Sequence, residues 1–330
     1  MNPPRSSPLG HAPVMLAEVC AALAPKSGAI YVDATFGAGG YAAAILETAP
    51  RAVVFGIDRD PEALAAAQPL VRRFAGRLTL IAGRFGDMVG LLAGAGAREV
   101  DGIAFDLGVS SMHLDNPERG FSFRADGPLD MRMNGSDPAE ATAAEVVNHL
   151  PESELADVIR RFGEERLASR IARAIVAARA QAPLKRTGEL AEIIRRVVPR
   201  ARDGIDPATR TFQALRIYVN DELGEIARGL AAAETLLKAG GRIAVVSFHS
   251  LEDRVVKMFL AERSGRTSAP SRHSPVPQAP SRPPTFRLLA GLQRPTEAEI
   301  ALNPRARSGR LRAAERTGAP AWNDAERRAA

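Results

Sequence analysis

Asp33-Ala34-Thr35-Phe36-Gly37-Ala38-Gly39-Gly40-Tyr41 decides the fold. It stands between a short apolar run, Ile30-Tyr31-Val32, and a run of helix formers that begins at Ala42. Glycines at such a junction let the backbone turn sharply and let a ligand approach without a Cβ in the way. Gly37, Gly39 and Ala42 satisfy the G-x-G-x-x-A form of a dinucleotide fingerprint, and Asp58, nineteen residues past Gly39, stands where an acid grips ribose hydroxyls. On these residues alone the loop fits a nicotinamide enzyme and a methyltransferase equally. Asp33 breaks the tie. A carboxylate at the end of this strand can meet the cationic methionyl end of S-adenosylmethionine, whereas it would repel a pyrophosphate. As a turn residue, the same Asp33 could serve only to cap the loop.

Working outward, short apolar runs alternate with helical stretches up to Ile103, the βαβα pattern of a parallel sheet covered on both faces. The strands expected are Ile30 to Val32, Val53 to Ile57, Leu78 to Ala82 and Gly102 to Phe105; the first, second and fourth end at Asp33, Asp58 and Asp106. Open parallel sheets bind ligands at the carboxyl ends of their strands, so the three acids mark one crevice. From about Asp137 to Val198 only helical periodicity appears, in Ala139 to Leu150, Glu152 to Phe162, Glu164 to Ala180 and Glu189 to Val198. Asp206-Pro207 opens a further helix, and a long one runs on to Lys238, where Gly240-Gly241 should end it before a strand from Arg242 to Phe248.

These readings divide the chain into a core of two parts, 1–135 and 206–263, with a helical substrate-recognition insertion at 136–205 between them. A Pro- and Ser-rich linker, 264–285, then leads to a basic segment, 286–330. Residues 261–330 hold 13 Arg, no Lys and 6 acids, a net of +7, against 31 basic and 32 acidic residues before them. That segment reads either as a phosphate-contacting tail or as a solubiliser. No run of about 18 apolar residues and no secretory signal appears, so no membrane association is expected and the location expected is cytoplasmic. The single cysteine, Cys20, excludes an internal disulfide framework and lies in an apolar stretch where a small buried residue fits. No metal is expected: His249 with Glu252 and Asp253 comes nearest to a ligand set, and it reads as a substrate-side or packing loop.

Beyond the loop, Asp106-Leu107-Gly108-Val109-Ser110-Ser111, Glu118-Arg119-Gly120-Phe121-Ser122-Phe123 and Gly127-Pro128-Leu129-Asp130-Met131-Arg132-Met133 closely resemble the ribosomal RNA small subunit methyltransferase H family. The resemblance continues through Gly163 to Arg166, Thr209 to Ala214, Ser247 to Arg254 and Asn303 to Ser308, and so covers His11 to about Arg316. It implies a class I S-adenosylmethionine-dependent methyltransferase, α/β with a Rossmann-like, mostly parallel sheet and an inserted all-helical subdomain. The implied reaction is transfer of a methyl group to the exocyclic N4 of a cytosine in the decoding region of 16S ribosomal RNA. The implied partner is therefore 16S rRNA or the small ribosomal subunit; no DNA is expected, and the oligomeric state is left open. Carried over by residue, the cofactor contacts are Gly39, Gly40, Tyr41, Asp58, Phe85, Asp106 and His113. Tyr41 departs from relatives that read Gly-Gly-His, so only a backbone contact carries over there.

The amino nitrogen of cytosine is a poor nucleophile, so its site must position the base and accept hydrogen bonds from its protons. Asp106 and the loop carbonyls after it come first as acceptors, then Ser110, Ser111 and Asp130. No cysteine stands near a substrate loop, which disfavours attack on the ring carbon. Two other classes stay open at this point: a nicotinamide oxidoreductase, which would bind a dinucleotide, and a non-enzymatic assembly factor, which would bind rRNA without methyl transfer.

Overall fold

The structure is a computed structural model that describes residues 13–135, 140–199, 204, 206–266 and 282–322. The first part of the core runs through α1 (Leu16–Leu23), β1 (Ile30–Asp33), α2 (Gly40–Thr48), β2 (Val53–Asp58), α3 (Pro61–Ala66), α4 (Gln68–Arg73), β3 (Leu78–Ala82), α5 (Met88–Gly94) and β4 (Val100–Asp106). A series of helices follows: α6 (Ser111–Asp115), α7 (Ala143–His149), α8 (Glu152–Gly163), α9 (Ala168–Arg179), α10 (Thr187–Val197) and α11 (Thr209–Asn220). The core then resumes with α12 (Glu222–Leu236), β5 (Leu237–Ser247), α13 (Ser250–Arg263), β6 (Phe286–Leu288), α14 (Glu297–Leu302) and β7 (Arg310–Arg316).

The strands form one sheet in the order β3-β2-β1-β4-β5-β7-β6. The first five strands pair in parallel; β7 runs antiparallel to both β5 and β6. The run of buried Tyr31, Val32, Val54, Ile57, Ile103 and Phe105 fits strands covered on both faces, which need apolar side chains on each. Chain order reverses between β1 and β4, the position where such sheets open a crevice.

The chain folds into two compact units, residues 1–108 with 224–330, and Val109–Leu223. The second is wider than the insertion expected at 136–205. Its core explains the difference: Phe121, Leu129, Met131 and Met133, from the loops before α7, are buried with Leu155, Ile159, Ile171, Ile175, Leu190, Ile194 and Phe212. The helices bury residues at i, i+3, i+4 and i+7 spacing, as Thr187, Leu190, Ala191 and Ile194 do on α10.

Three expectations need correction. The helix expected from Glu164 begins only at Ala168, because Glu164 takes a left-handed conformation (φ 50°) after Gly163 and the Glu165 carboxylate accepts the Leu167 N–H. Gly240-Gly241 does not end a helix. The chain is already extended at Leu237, and the pair lies inside β5, where the pairing with β4 jumps from Val100↔Leu237 to Gly102↔Arg242 and Gly240 has φ 80°; glycine suits such a bulge. The basic segment is no free tail, since it supplies β6 and β7. Arg310 and Arg312 pair with Asp253, Arg287 and Arg242 with Glu315, and the buried Arg316 donates to the Glu234 carbonyl. Of the expected linker, residues 267–281 lie outside the described residues, while Thr285 is fully buried and donates to Glu234 Oε1 at 2.5 Å. Met1 to Gly10 and residues 136–139 also lie outside them. Among the described residues no helix is long and apolar enough to cross a membrane.

Candidate active site

The loop after β1 is built around Phe36. Its ring fills the space a Cβ would take at Gly39 and Gly56: an added Cβ would lie 2.5 Å from the ring at the first and 2.2 Å at the second. Gly39 also has φ 75°, so both packing and backbone require glycine there. A Cβ on Gly40 would press on Pro13, whereas one on Gly37 (φ 50°) would meet only the Thr35 carbonyl oxygen at 3.9 Å, an ordinary contact. Tyr41 is buried and its hydroxyl donates to the Val14 carbonyl at 2.5 Å, which ties α2 to the start of α1.

Asp33 does two things with two oxygens. Oδ2 accepts the Ala42 N–H in the first turn of α2 at 3.1 Å, satisfying one of the N–H groups that a helix start leaves open. Oδ1 is enclosed and has no hydrogen-bond partner among the described residues. Burial, above all, lifts the carboxyl to about 7, and repulsion from Asp58 adds to it against the Ala42 N–H. Asp58 is held by its neighbours: Oδ2 accepts from Gly37 N–H at 2.6 Å and Oδ1 from Asp60 N–H at 2.8 Å.

At the end of β4 the Asp106 N–H donates to Thr35 Oγ1 at 2.5 Å, and Asp106 Oδ1 is enclosed without a partner among the described residues. Burial raises its carboxyl well above the ordinary range, reinforced by the charges of Asp33 and Glu252. Glu252 itself closes the loop after β5, accepting the N–H groups of Phe248 (2.7 Å) and His249 (3.2 Å), with His249 Nε2 at 3.1 Å. Asp253 next to it pairs with Arg310 and Arg312. Glu252 and Asp253 thus serve a cap and an ion pair, and His249 accepts the Glu252 N–H through Nδ1 at 3.3 Å at the start of α13. Phe85 is half-buried, packs edge-on against Phe105 at 5.5 Å, and occupies the space beside Gly229 of α12.

The first unit therefore brings together Asp33, Asp58 and Asp106, with Gly39, Gly40, Tyr41 and Phe85 on the elements around them. Thr35 and Glu252 belong to the same cluster; the sequence assigned Thr35 no role and read Glu252 only with His249 and Asp253 as a substrate-side or packing loop. Thr35 sits inside the loop quoted at the outset; Glu252 was legible only as part of a loop after a strand whose neighbour in the sheet is β4.

His113, Ser110, Ser111 and Asp130 belong to the second unit. Ser110 caps α6: its hydroxyl accepts the His113 N–H at 3.4 Å, and His113 Nδ1 lies 3.3 Å from the Ser110 N–H and 3.2 Å from its hydroxyl. The His113 ring is buried against Phe121 at 4.8 Å. Ser111 opens α6. Asp130 binds Arg132 through both oxygens, at 2.8 and 2.7 Å. Asn220 and the buried Arg119, whose roles the sequence did not reveal, hold the backbone from Met131 to Met133.

Two enclosed, unpartnered carboxylate oxygens among acids that repel one another suit a cationic ligand, since buried charge is costly unless it is paired. With the strand order and its switch point, the first unit defines a class I S-adenosylmethionine-dependent methyltransferase. The sequence matches the MraW methylase family over residues 8–317, and the chain belongs to that family. It is 60% identical over 317 residues to ribosomal RNA small subunit methyltransferase H of Paramagnetospirillum magneticum, covering 96% of this chain and 98% of that one. To the protein of the same name from Rhodospirillum centenum it is 61% identical over 318 residues, 96% and 94% of the two chains. Among solved structures, an rRNA methylase from Streptococcus thermophilus aligns over 94% of this chain and 98% of its own, at 11% identity and a TM-score of 0.40.

Proposed function

We propose that this methyltransferase acts on small-subunit ribosomal RNA and methylates the exocyclic N4 of a cytosine in the decoding region. The RNA is supported by the names of relatives that share three fifths of its residues. The single observation that carries the cofactor side is the pair of enclosed, unpartnered oxygens on Asp33 and Asp106. When bound, S-adenosylmethionine supplies an electrophilic methyl group on a cationic sulfur. Asp58 holds the ribose hydroxyls and Asp33 the cationic end. Gly39 and Gly40 would let the cofactor approach the backbone, Tyr41 would contribute only its backbone, and Phe85 would offer an apolar face to the adenine; His113 is the contact that the family resemblance assigns to the second unit.

Asp106 accepts a hydrogen bond from the amino nitrogen. With its carboxyl raised by burial, it is the group suited to take the proton that nitrogen loses. Ser110, Ser111 and Asp130 rank below it, because the Ser110 hydroxyl and the Asp130 carboxylate already serve a cap and an ion pair. The only cysteine is half-buried on α1, and burial pushes its thiol up to about 11, so it offers no thiolate for attack on a pyrimidine ring. The experiment is methyl transfer from labelled cofactor to small ribosomal subunits lacking the modification, followed by nucleoside mass spectrometry. N4-methylcytidine is expected; 5-methylcytidine or 2′-O-methylcytidine would refute the assignment.

A further inference from the structure

We propose that the outer end of the sheet carries a second, non-catalytic pocket that binds one nucleotide of single-stranded RNA beside the methylated base; this builds on the RNA substrate proposed above. Between α13 and the strands β6 and β7 lies a cavity of about 470 Å³, within the size range of sites that enclose a small ligand. Leu260 of α13 and Leu288 and Leu289, at and just after β6, give it apolar walls. Lys257, Arg266 and Arg312 are its charged lining residues, and among the described residues no carboxylate lines it. Arg312 is neutralised by Asp253, which it meets at 2.6 and 3.1 Å. Lys257 and Arg266 are exposed and form no ion pair among the described residues.

An apolar lining with two uncompensated cations suits a ligand with a flat apolar body and an anionic link. Nucleotides of a single strand have that form, stacking or packing a base while Lys and Arg take the phosphates. The position agrees. Arg312 pairs in register with Val245, one residue before Val246, the partner of Asp106 on β4. Three strand spacings separate β4 from β6 in the order β4-β5-β7-β6, about 14 Å at 4.8 Å each. A few unstacked nucleotides cover that distance, so an RNA strand with its target base at Asp106 can reach the pocket.

The test compares the full chain with Lys257→Ala/Arg266→Ala and with Ala290→Trp, which fills the cavity without changing charge. Each is assayed for methyl transfer to unmodified small ribosomal subunits over a range of salt. The double variant should raise KM for the subunits about tenfold at physiological salt and reduce the log–log salt slope by about 1.4, or about 0.7 for each single-strand phosphate that is no longer neutralised. Ala290→Trp should raise KM with the salt slope unchanged. In both variants kcat, cofactor affinity and Tm should stay at the wild-type values. An unchanged slope in the double variant, or an unchanged KM in Ala290→Trp, would overturn the pocket. Failure of the wild-type chain to methylate the subunits would instead overturn the substrate reading on which the pocket depends.

Discussion

At the end of β1, Asp33 gives one oxygen to the Ala42 N–H and keeps the other enclosed, with its carboxyl lifted to about 7. A cationic ligand is held by the ionised form. Cofactor affinity should therefore fall about tenfold per pH unit below 7 and level off above it. Calorimetric titrations from about pH 5.5 to about pH 8.5 check this; Asp33→Asn should flatten the profile, and an equally steep one would assign the titration elsewhere. Asp58→Ala removes the proposed ribose acceptor, with each charge-assisted bond worth about 1.5–3 kcal/mol, so the cofactor Kd should rise at least about tenfold; because Asp58 also accepts the Gly37 and Asp60 N–H groups, Tm should fall as well. Asp33, Asp58 and Asp106 could be read from the sequence because each closes a strand. The partners of each oxygen could not, because they arrive from other turns of the chain.

Strand β7 shows how an element can hide. Arg310-Leu311-Arg312-Ala313-Ala314-Glu315-Arg316 carries four charges in seven residues, and the residue that neutralises its Arg310 and Arg312 lies some sixty positions away, on α13. Only the assembled sheet makes it a strand, with Arg310 to Glu315 paired along β5. Removing residues from Pro304 onward should therefore abolish cooperative thermal unfolding and cofactor binding together; a truncated chain that still bound the cofactor normally would show β7 to be dispensable. A gentler probe is Asp253→Asn. The Arg312 and Arg310 guanidiniums hold the Asp253 carboxyl below its ordinary value even though burial opposes them. That stability is present above the ordinary carboxylate pKa and disappears as pH falls through the lowered one. The variant should lose roughly 2 kcal/mol in denaturant unfolding at neutral pH, and the difference should vanish in acid once pH has fallen below the lowered Asp253 value.

Across the whole molecule, the proposed chemistry rests on the acids at the carboxyl ends of β1, β2 and β4 and leaves the lone thiol out. Cys20→Ser should leave turnover nearly unchanged, measured as initial rates of methyl transfer, because a thiol raised to about 11 holds almost no thiolate at neutral pH. A collapse of activity would place Cys20 in the reaction.

The parallel sheet and the acids that close β1, β2 and β4 were determined by sequence alone, because apolar periodicity and strand-end polar residues are local signals that survive without tertiary context. The breadth of the helical unit, the bulge at Gly240-Gly241 and the incorporation of the basic segment were decided only by the tertiary structure. In each case the physical reason is the same. Whether Phe121, Gly240 or Arg312 is loop, cap or strand depends on partners distant in sequence, and packing and charge neutralisation reward those partners only once the chain has folded.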